Sequence, residues 1–143
     1  MIKHVEAWPL ELGSFDSVRK FADRVELEGF PINALIANAA VLVMTYAKTQ
    51  DGWETTFVPG MQYISPALTL RPLVRLQVNY LSTALLSILM LPHLIKSATP
   101  SNASRLVMVS SEAHFWADEF KDATSWPSIL GKLNDEGYCS STS

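Results

Sequence analysis

The amino-acid sequence predicts an α/β fold carrying a parallel sheet, and three observations lead there. Residues 32–37 (Ile-Asn-Ala-Leu-Ile-Ala) and 105–109 (Arg-Leu-Val-Met-Val) are short and almost wholly apolar, the composition of strands covered on both faces. Longer stretches before and between them repeat apolar residues at helical spacing. The resulting order of strand, helix, strand, helix, strand is that of units in which a helix returns the chain to start a parallel strand.

Composition sets the bounds. A chain of 143 residues is one domain at most, and at this size folding buries roughly two thirds of the surface of the extended chain, so a core needs no metal or disulfide to support it. With 48% hydrophobic and 17% charged residues and a net charge of −3, the chain is too apolar for disorder and carries no basic excess for nucleic acid. The single cysteine, Cys139, allows no internal bridge, and residues 1–12 contain Lys3, His4 and Glu6 with no apolar leader region. A reducing, cytoplasmic setting is therefore the expectation. His4, His93 and His114 have no metal-ligand spacing with Cys139, so no metal site is expected, and the sequon Asn102-Ala103-Ser104 is assigned no role.

Residues 4–10 are compatible with a strand. Phe15, Val18, Phe21, Ala22 and Val25 then follow the period of an amphipathic helix, with Ser14 as N-cap and Gly29 as its C-terminal stop. The strand 32–37 opens into a loop at Asn38-Ala39-Ala40. A second helix spans 77 to about 95, apolar nearly all round and so expected between layers. The charge-free run 76–95 is long enough to cross a bilayer. Because it holds Gln77, Asn79, Ser82, Thr83, Ser87 and His93, a buried helix is the expectation and a membrane span is not. A Ser/Asn/Pro-rich connection, 97–104, leads to the strand 105–109, which ends at Ser110-Ser111. Residues 112–143 read as an irregular C-terminal segment, weakly helical only over 126–133, with Pro127 in a first-turn position.

Residues 58–76 (76 − 58 + 1 = 19 positions) fit neither period and contain Pro59, Gly60, Pro66 and Pro72. With them set aside, Trp53-Glu54-Thr55-Thr56-Phe57 runs into Gln77-Val78-Asn79-Tyr80-Leu81 as one helix, so the segment reads as an insertion. Its 19 residues correspond to 57 nucleotides (19 × 3) and Val58 must begin with GT, which makes a short in-frame intron one reading of its origin.

Taken in order, Asn38-Ala39-Ala40 after a strand, Asp51-Gly52-Trp53-Glu54-Thr55-Thr56-Phe57 before a long helix, Gln77-Val78-Asn79-Tyr80 on that helix, and a strand leading to Ser110-Ser111-Glu112-Ala113-His114 resemble the middle of a short-chain dehydrogenase/reductase, most closely the retinol-dehydrogenase-like and fungal members. The resemblance implies an incomplete Rossmann-like three-layer fold retaining the third, fourth and fifth strands of the family. It further implies descent from an oxidoreductase moving hydride between NAD or NADP and a small-molecule carbonyl or alcohol. Glu11 of Leu10-Glu11-Leu12 corresponds to the family's Asp that hydrogen-bonds the adenine amino group, with Leu12 beside it on the cofactor side, although an acidic residue before a helix also favours its positive end. Asn38, Ala39 and Ala40 correspond to Asn-Ala-Gly along the adenosine, Asn79 to the asparagine of the proton relay, and Ser111 to the serine that orients the substrate carbonyl. His114 reads as a pocket-edge residue.

Two expected features of the family are missing from the 143 residues. Tyr138 is followed by Thr142, not lysine, at the fourth position, so the Tyr-x-x-x-Lys acid/base pair is lacking. Gly13, Gly29, Gly52, Gly60, Gly131 and Gly137 form neither the Gly-x-x-x-Gly-x-Gly nor the Gly-x-Gly-x-x-Gly pattern of a pyrophosphate-binding turn. The expectation is therefore a fragment without activity of its own, with Asn79 and Ser111 as vestiges, weak or lost cofactor binding, marginal folding, and self-association through exposed strand edges. The alternative is a non-enzymatic α/β module that binds a nucleotide or a partner.

Overall fold

The structure is a computed structural model that describes residues 4–41, 47–54, 76–111 and 123–140. Helix α1, Phe15–Glu28, forms for the reasons its sequence gives. Ser14 is extended (φ −140°, ψ 116°), its hydroxyl accepts from the Ser17 amide at 3.3 Å, and its carbonyl accepts from Val18 at 3.1 Å. At the other end Gly29 turns left-handed (φ 66°) and donates to the Val25 carbonyl, a conformation that costs glycine little. Val18, Ala22 and Val25 form the buried stripe.

Strands β1, Ala34–Ala37, and β2, Arg105–Met108, pair in parallel with Ala34 opposite Arg105 and Ala37 opposite Met108. Arg105 donates to the Asn33 carbonyl and Val109 to the Ala37 carbonyl, each at 2.9 Å, so the ladder runs on at both ends. The chain is thus α/β with a parallel sheet, a partial Rossmann-like arrangement, but the sheet has two strands among the described residues and not three. Residues 4–10 join no ladder. Trp8 of that segment instead packs edge-on against Phe21 at 5.9 Å and lies under the Arg24 guanidinium at 3.9 Å, so side chains rather than backbone bonds hold the segment to α1.

The long helix begins as a π-helical turn, Leu76–Leu81, and continues as α2, Ser82–Ser97. Val78, Leu86 and Met90 face the core, which they share with Leu12, Val18 and Val25, and Leu94 is buried as well. Its hydroxyls are satisfied within the helix or just outside it. Thr83 donates to Val78 O at 3.0 Å, Ser87 to Thr83 O at 2.8 Å and Ser82 to Leu12 O at 2.6 Å, so burying them carries no open polar group. Leu76–Ser97 is long and apolar enough to cross a membrane by length and composition, and here it lies against α1 and both strands.

Two expectations about layering are corrected. The helix is not enclosed between layers, since Ile88, Leu91 and Ile95 on its far side are exposed, Ile95 by 73%. Nor are the strands buried on both faces. Every residue of β2 is exposed, and in β1 only the alternate residues Leu35 and Ala37 are partly covered. The physical reason is one-sided cover: α2 packs on the sheet and α1 packs on α2, with nothing on the opposite face among the described residues.

The C-terminal part is more regular than expected. It holds α3, Ile129–Leu133, and α4, Glu136–Ser140. Ser128 caps α3, accepting from Gly131 through its hydroxyl and from Lys132 through its carbonyl, both at 3.0 Å, so Pro127 stands before the cap and not in the first turn. His114 and nearly all of the 58–76 segment lie outside the described residues.

Candidate functional site at the carboxyl end of the sheet

Parallel pairing sends the chain off the sheet in the same direction after both strands. The loops Asn38-Ala39-Ala40 and Val109-Ser110-Ser111 therefore leave from one carboxyl edge, where open α/β sheets place their ligands. The long helix reaches this edge through its π turn. Asn79 lies within that turn, and its side chain clamps the backbone of Val41: the Val41 amide donates to Asn79 Oδ1 at 3.0 Å, and Asn79 Nδ2 donates to the Val41 carbonyl at 3.2 Å. One side chain thus supplies a donor and an acceptor to the loop that carries Asn38, Ala39 and Ala40. π turns inside helices recur at functional positions because they redirect backbone and side chains locally.

Three residues further on, Ser82 holds the carbonyl of Leu12, which ties the Glu11-Leu12 turn to the same helix. Leu12 itself is a core residue with its side chain buried. The Glu11 carboxylate folds back on its own turn and accepts from the Gly13 amide at 2.6 Å, while the Glu11 amide donates to Ser17 Oγ at 2.9 Å. A methyl group at Gly13 would stand 3.0 Å from that carboxylate oxygen, so the close approach at this glycine serves the turn. Asn38, Ala39, Ala40, Asn79 and Ser111 are all exposed. Asn79 meets the 38–41 loop, Leu12 meets the helix a turn away, and Ser111 leaves the sheet at the same edge.

A polar cluster under the helix start was not legible as a site in the sequence. Asp51 Oδ2 accepts from the Phe15 amide, the first of α1, and from Gln77 Nε2, each at 2.7 Å. Gln77 is fully buried and also meets Thr49 Oγ1. Asn134 reaches across from the end of α3, accepting from the Glu54 amide at 2.7 Å and donating to the Gly52 carbonyl at 3.2 Å. Gly52 makes the turn between them with φ 79°. The Asp-Gly-Trp-Glu motif was the available signal, but nothing in its spacing names Gln77 or Asn134 as partners.

Tyr138 lies in α4 with Trp126 edge-on at 5.6 Å and the Lys132 ammonium 5.0 Å from the ring centre. No group of three or more His, Cys, Asp or Glu side chains is placed to hold a metal among the described residues.

Curated relatives match most of the chain. Polyprenol dehydrogenase of Danio rerio is 34% identical over 111 residues, which are 78% of this chain and 28% of the relative. Short chain dehydrogenase sol3 of Alternaria solani is 34% identical over 134 residues, 92% of this chain and 39% of the relative. Short-chain dehydrogenase/reductase phmF of Phaeosphaeria nodorum is 35% identical over 129 residues, 88% and 32% respectively. The chain therefore spans between about a quarter and two fifths of the length of these relatives. No family model matches the sequence, and no solved structure matches it.

Proposed function

From a chain that belongs to the short-chain dehydrogenase/reductase family, we propose that these residues form the relay-and-loop portion of a nicotinamide-dependent oxidoreductase unit, and that the 143-residue chain on its own transfers no hydride. The observation that carries this reading is the two-point clamp of Asn79 on Val41, which joins the relay asparagine to the Asn38-Ala39-Ala40 loop at the carboxyl edge of the sheet. In the proposed unit Asn79 holds that loop and a relay water, Ser111 orients a small carbonyl or alcohol, and Glu11, Leu12, Asn38, Ala39 and Ala40 flank the adenosine half of NAD or NADP. The setting is cytoplasmic, in keeping with one cysteine and no bridge.

The pyrophosphate of such a cofactor does not fit the described residues. A dinucleotide needs free amides at a glycine turn facing a helix start. Gly13 precedes α1, but its amide is already bonded to the Glu11 carboxylate, whose negative charge opposes a phosphate. Gly29 and Gly52, the glycines with positive φ among the described residues, serve a helix end and the Asp51–Glu54 turn.

The uncovered face favours a second, compatible reading as an association module. Ile36, Val107 and Met108 on the sheet and Ile88, Leu91 and Ile95 on α2 are exposed apolar residues, and both strands have open edges among the described residues. The test of the first reading is an assay of NADH and NADPH oxidation with a panel of small aldehydes and ketones. No turnover above the protein-free rate is expected, and any substrate-dependent oxidation abolished by Ser111→Ala contradicts the inactive reading.

A further inference from the structure

A cleft of about 530 Å³ opens beside α1, lined by His4, Glu6, Trp8, Phe21 and Phe30. Its size falls within the roughly 300–1,000 Å³ of small-molecule sites, and it shares no residue with the carboxyl edge of the sheet. The polar side comes from alternate residues of the N-terminal segment. Glu6 Oε1 accepts from His4 Nε2 at 2.8 Å, and Glu6 Oε2 accepts from Trp8 Nε1 at 2.7 Å. These bonds place His4, Glu6 and Trp8 on one side of the segment and hold the carboxylate by both of its oxygens.

The remaining walls are aromatic. Trp8 and Phe21 pack against the core, and Phe30, 52% exposed, follows the left-handed turn at Gly29. The Trp8 ring meets Phe21 at 65° with centroids 5.9 Å apart and Phe30 at 40° with centroids 6.4 Å apart. Walls inclined in this way surround a compact group, whereas a flat ring stacks best between parallel ones. The Glu6 carboxylate opposes an anion. The π surface of Trp8 already receives one cation, the Arg24 guanidinium at 3.9 Å, which pairs with Glu28 and lines the neighbouring cleft with Lys20. Both oxygens of Glu6 are engaged and the rings carry no lone pair, so an ammonium with N–H groups finds few acceptors here. An ammonium whose hydrogens are all replaced by alkyl groups has no donors to satisfy.

We propose that this cleft binds a small, free quaternary ammonium compound, with Trp8, Phe21 and Phe30 around the alkyl groups and Glu6 as the counter-charge. The bond from Trp8 to Glu6 and the packing of Trp8 and Phe21 on the core fix three of the four groups before a ligand arrives, which lowers the ordering cost of binding. Because no residue is shared with the carboxyl edge, the site is independent of the oxidoreductase reading.

Titration of the full chain with tetramethylammonium chloride and with choline, followed through the indole N–H signals in proton–nitrogen NMR spectra, tests this. Of the four tryptophans, Trp8, identified by the signal lost in Trp8→Phe, is expected to shift saturably with a midpoint of roughly 1–10 mM. Sodium chloride at matched ionic strength is expected to cause no such shift. The uncharged shape analogue of choline, 3,3-dimethylbutan-1-ol, is expected to bind about tenfold more weakly. Glu6→Gln keeps an acceptor for the Trp8 N–H and is expected to weaken binding about threefold or more, as is Phe30→Leu, which leaves the core untouched. No saturation below about 50 mM, equal binding of the neutral alcohol, or unchanged affinity in Glu6→Gln overturns the proposal. A trimethyllysine peptide that binds about tenfold more tightly than choline overturns a free small cation as the ligand.

Discussion

At the scale of the residue, polar side chains that reach backbone groups of distant segments do most of the positioning. Asn79 satisfies both the amide and the carbonyl of Val41, and truncating it to alanine opens two bonds at once. Asn79→Ala is expected to cost about 1 kcal/mol in urea unfolding, because the loop is exposed and water replaces part of what is lost. Asp51 caps α1 from outside that helix and holds the buried amide of Gln77. Asp51→Ala is expected to cost about 2 kcal/mol, and Asp51→Asn, which keeps one acceptor oxygen, roughly half of that by the same measurement. Asn79 was legible in the sequence through its place in Gln77-Val78-Asn79-Tyr80 on the long helix, but its partner was not. Which backbone it meets depends on where the strand before Val41 lies against the helix, a long-range fact that spacing along the chain does not encode.

At the scale of the element, the ends of α1 were readable to the residue, since Ser14 and Gly29 act through local geometry alone. Gly29→Ala places a side chain at φ 66° and is expected to lower stability by about 1 kcal/mol, visible as a shift in the urea midpoint without a change in slope. The strands 34–37 and 105–108 were likewise readable as strands, and their parallel pairing followed from the helix between them. What failed was burial and the third strand. Apolar runs record the environment for which a strand is suited, whereas exposure depends on what else is there to cover it. Residues 4–10 have strand composition and no neighbouring strand among the described residues, so they settle for the ring contacts of Trp8. Helix α2 shows the same one-sidedness. The far-face substitution Ile95→Lys is expected to leave Tm within about 1 °C, whereas Met90→Ala, in the buried face, costs roughly 2–4 kcal/mol.

At the scale of the whole molecule, a two-stranded parallel sheet covered on one face leaves apolar surface and strand edges open together. Self-association is the expected consequence, and sedimentation velocity should show an apparent mass that rises with protein concentration and falls in Ile88→Lys/Ile95→Lys. The site is divided: the carboxyl-edge loops and Asn79 come together, while no glycine turn among the described residues is free to grip a pyrophosphate. Titration of the 143-residue chain with NADH and NADPH, followed by nicotinamide fluorescence, tests that division most directly. No saturable signal is expected below about 1 mM, equivalent to less than roughly 4 kcal/mol of binding. Saturation in the micromolar range would contradict it.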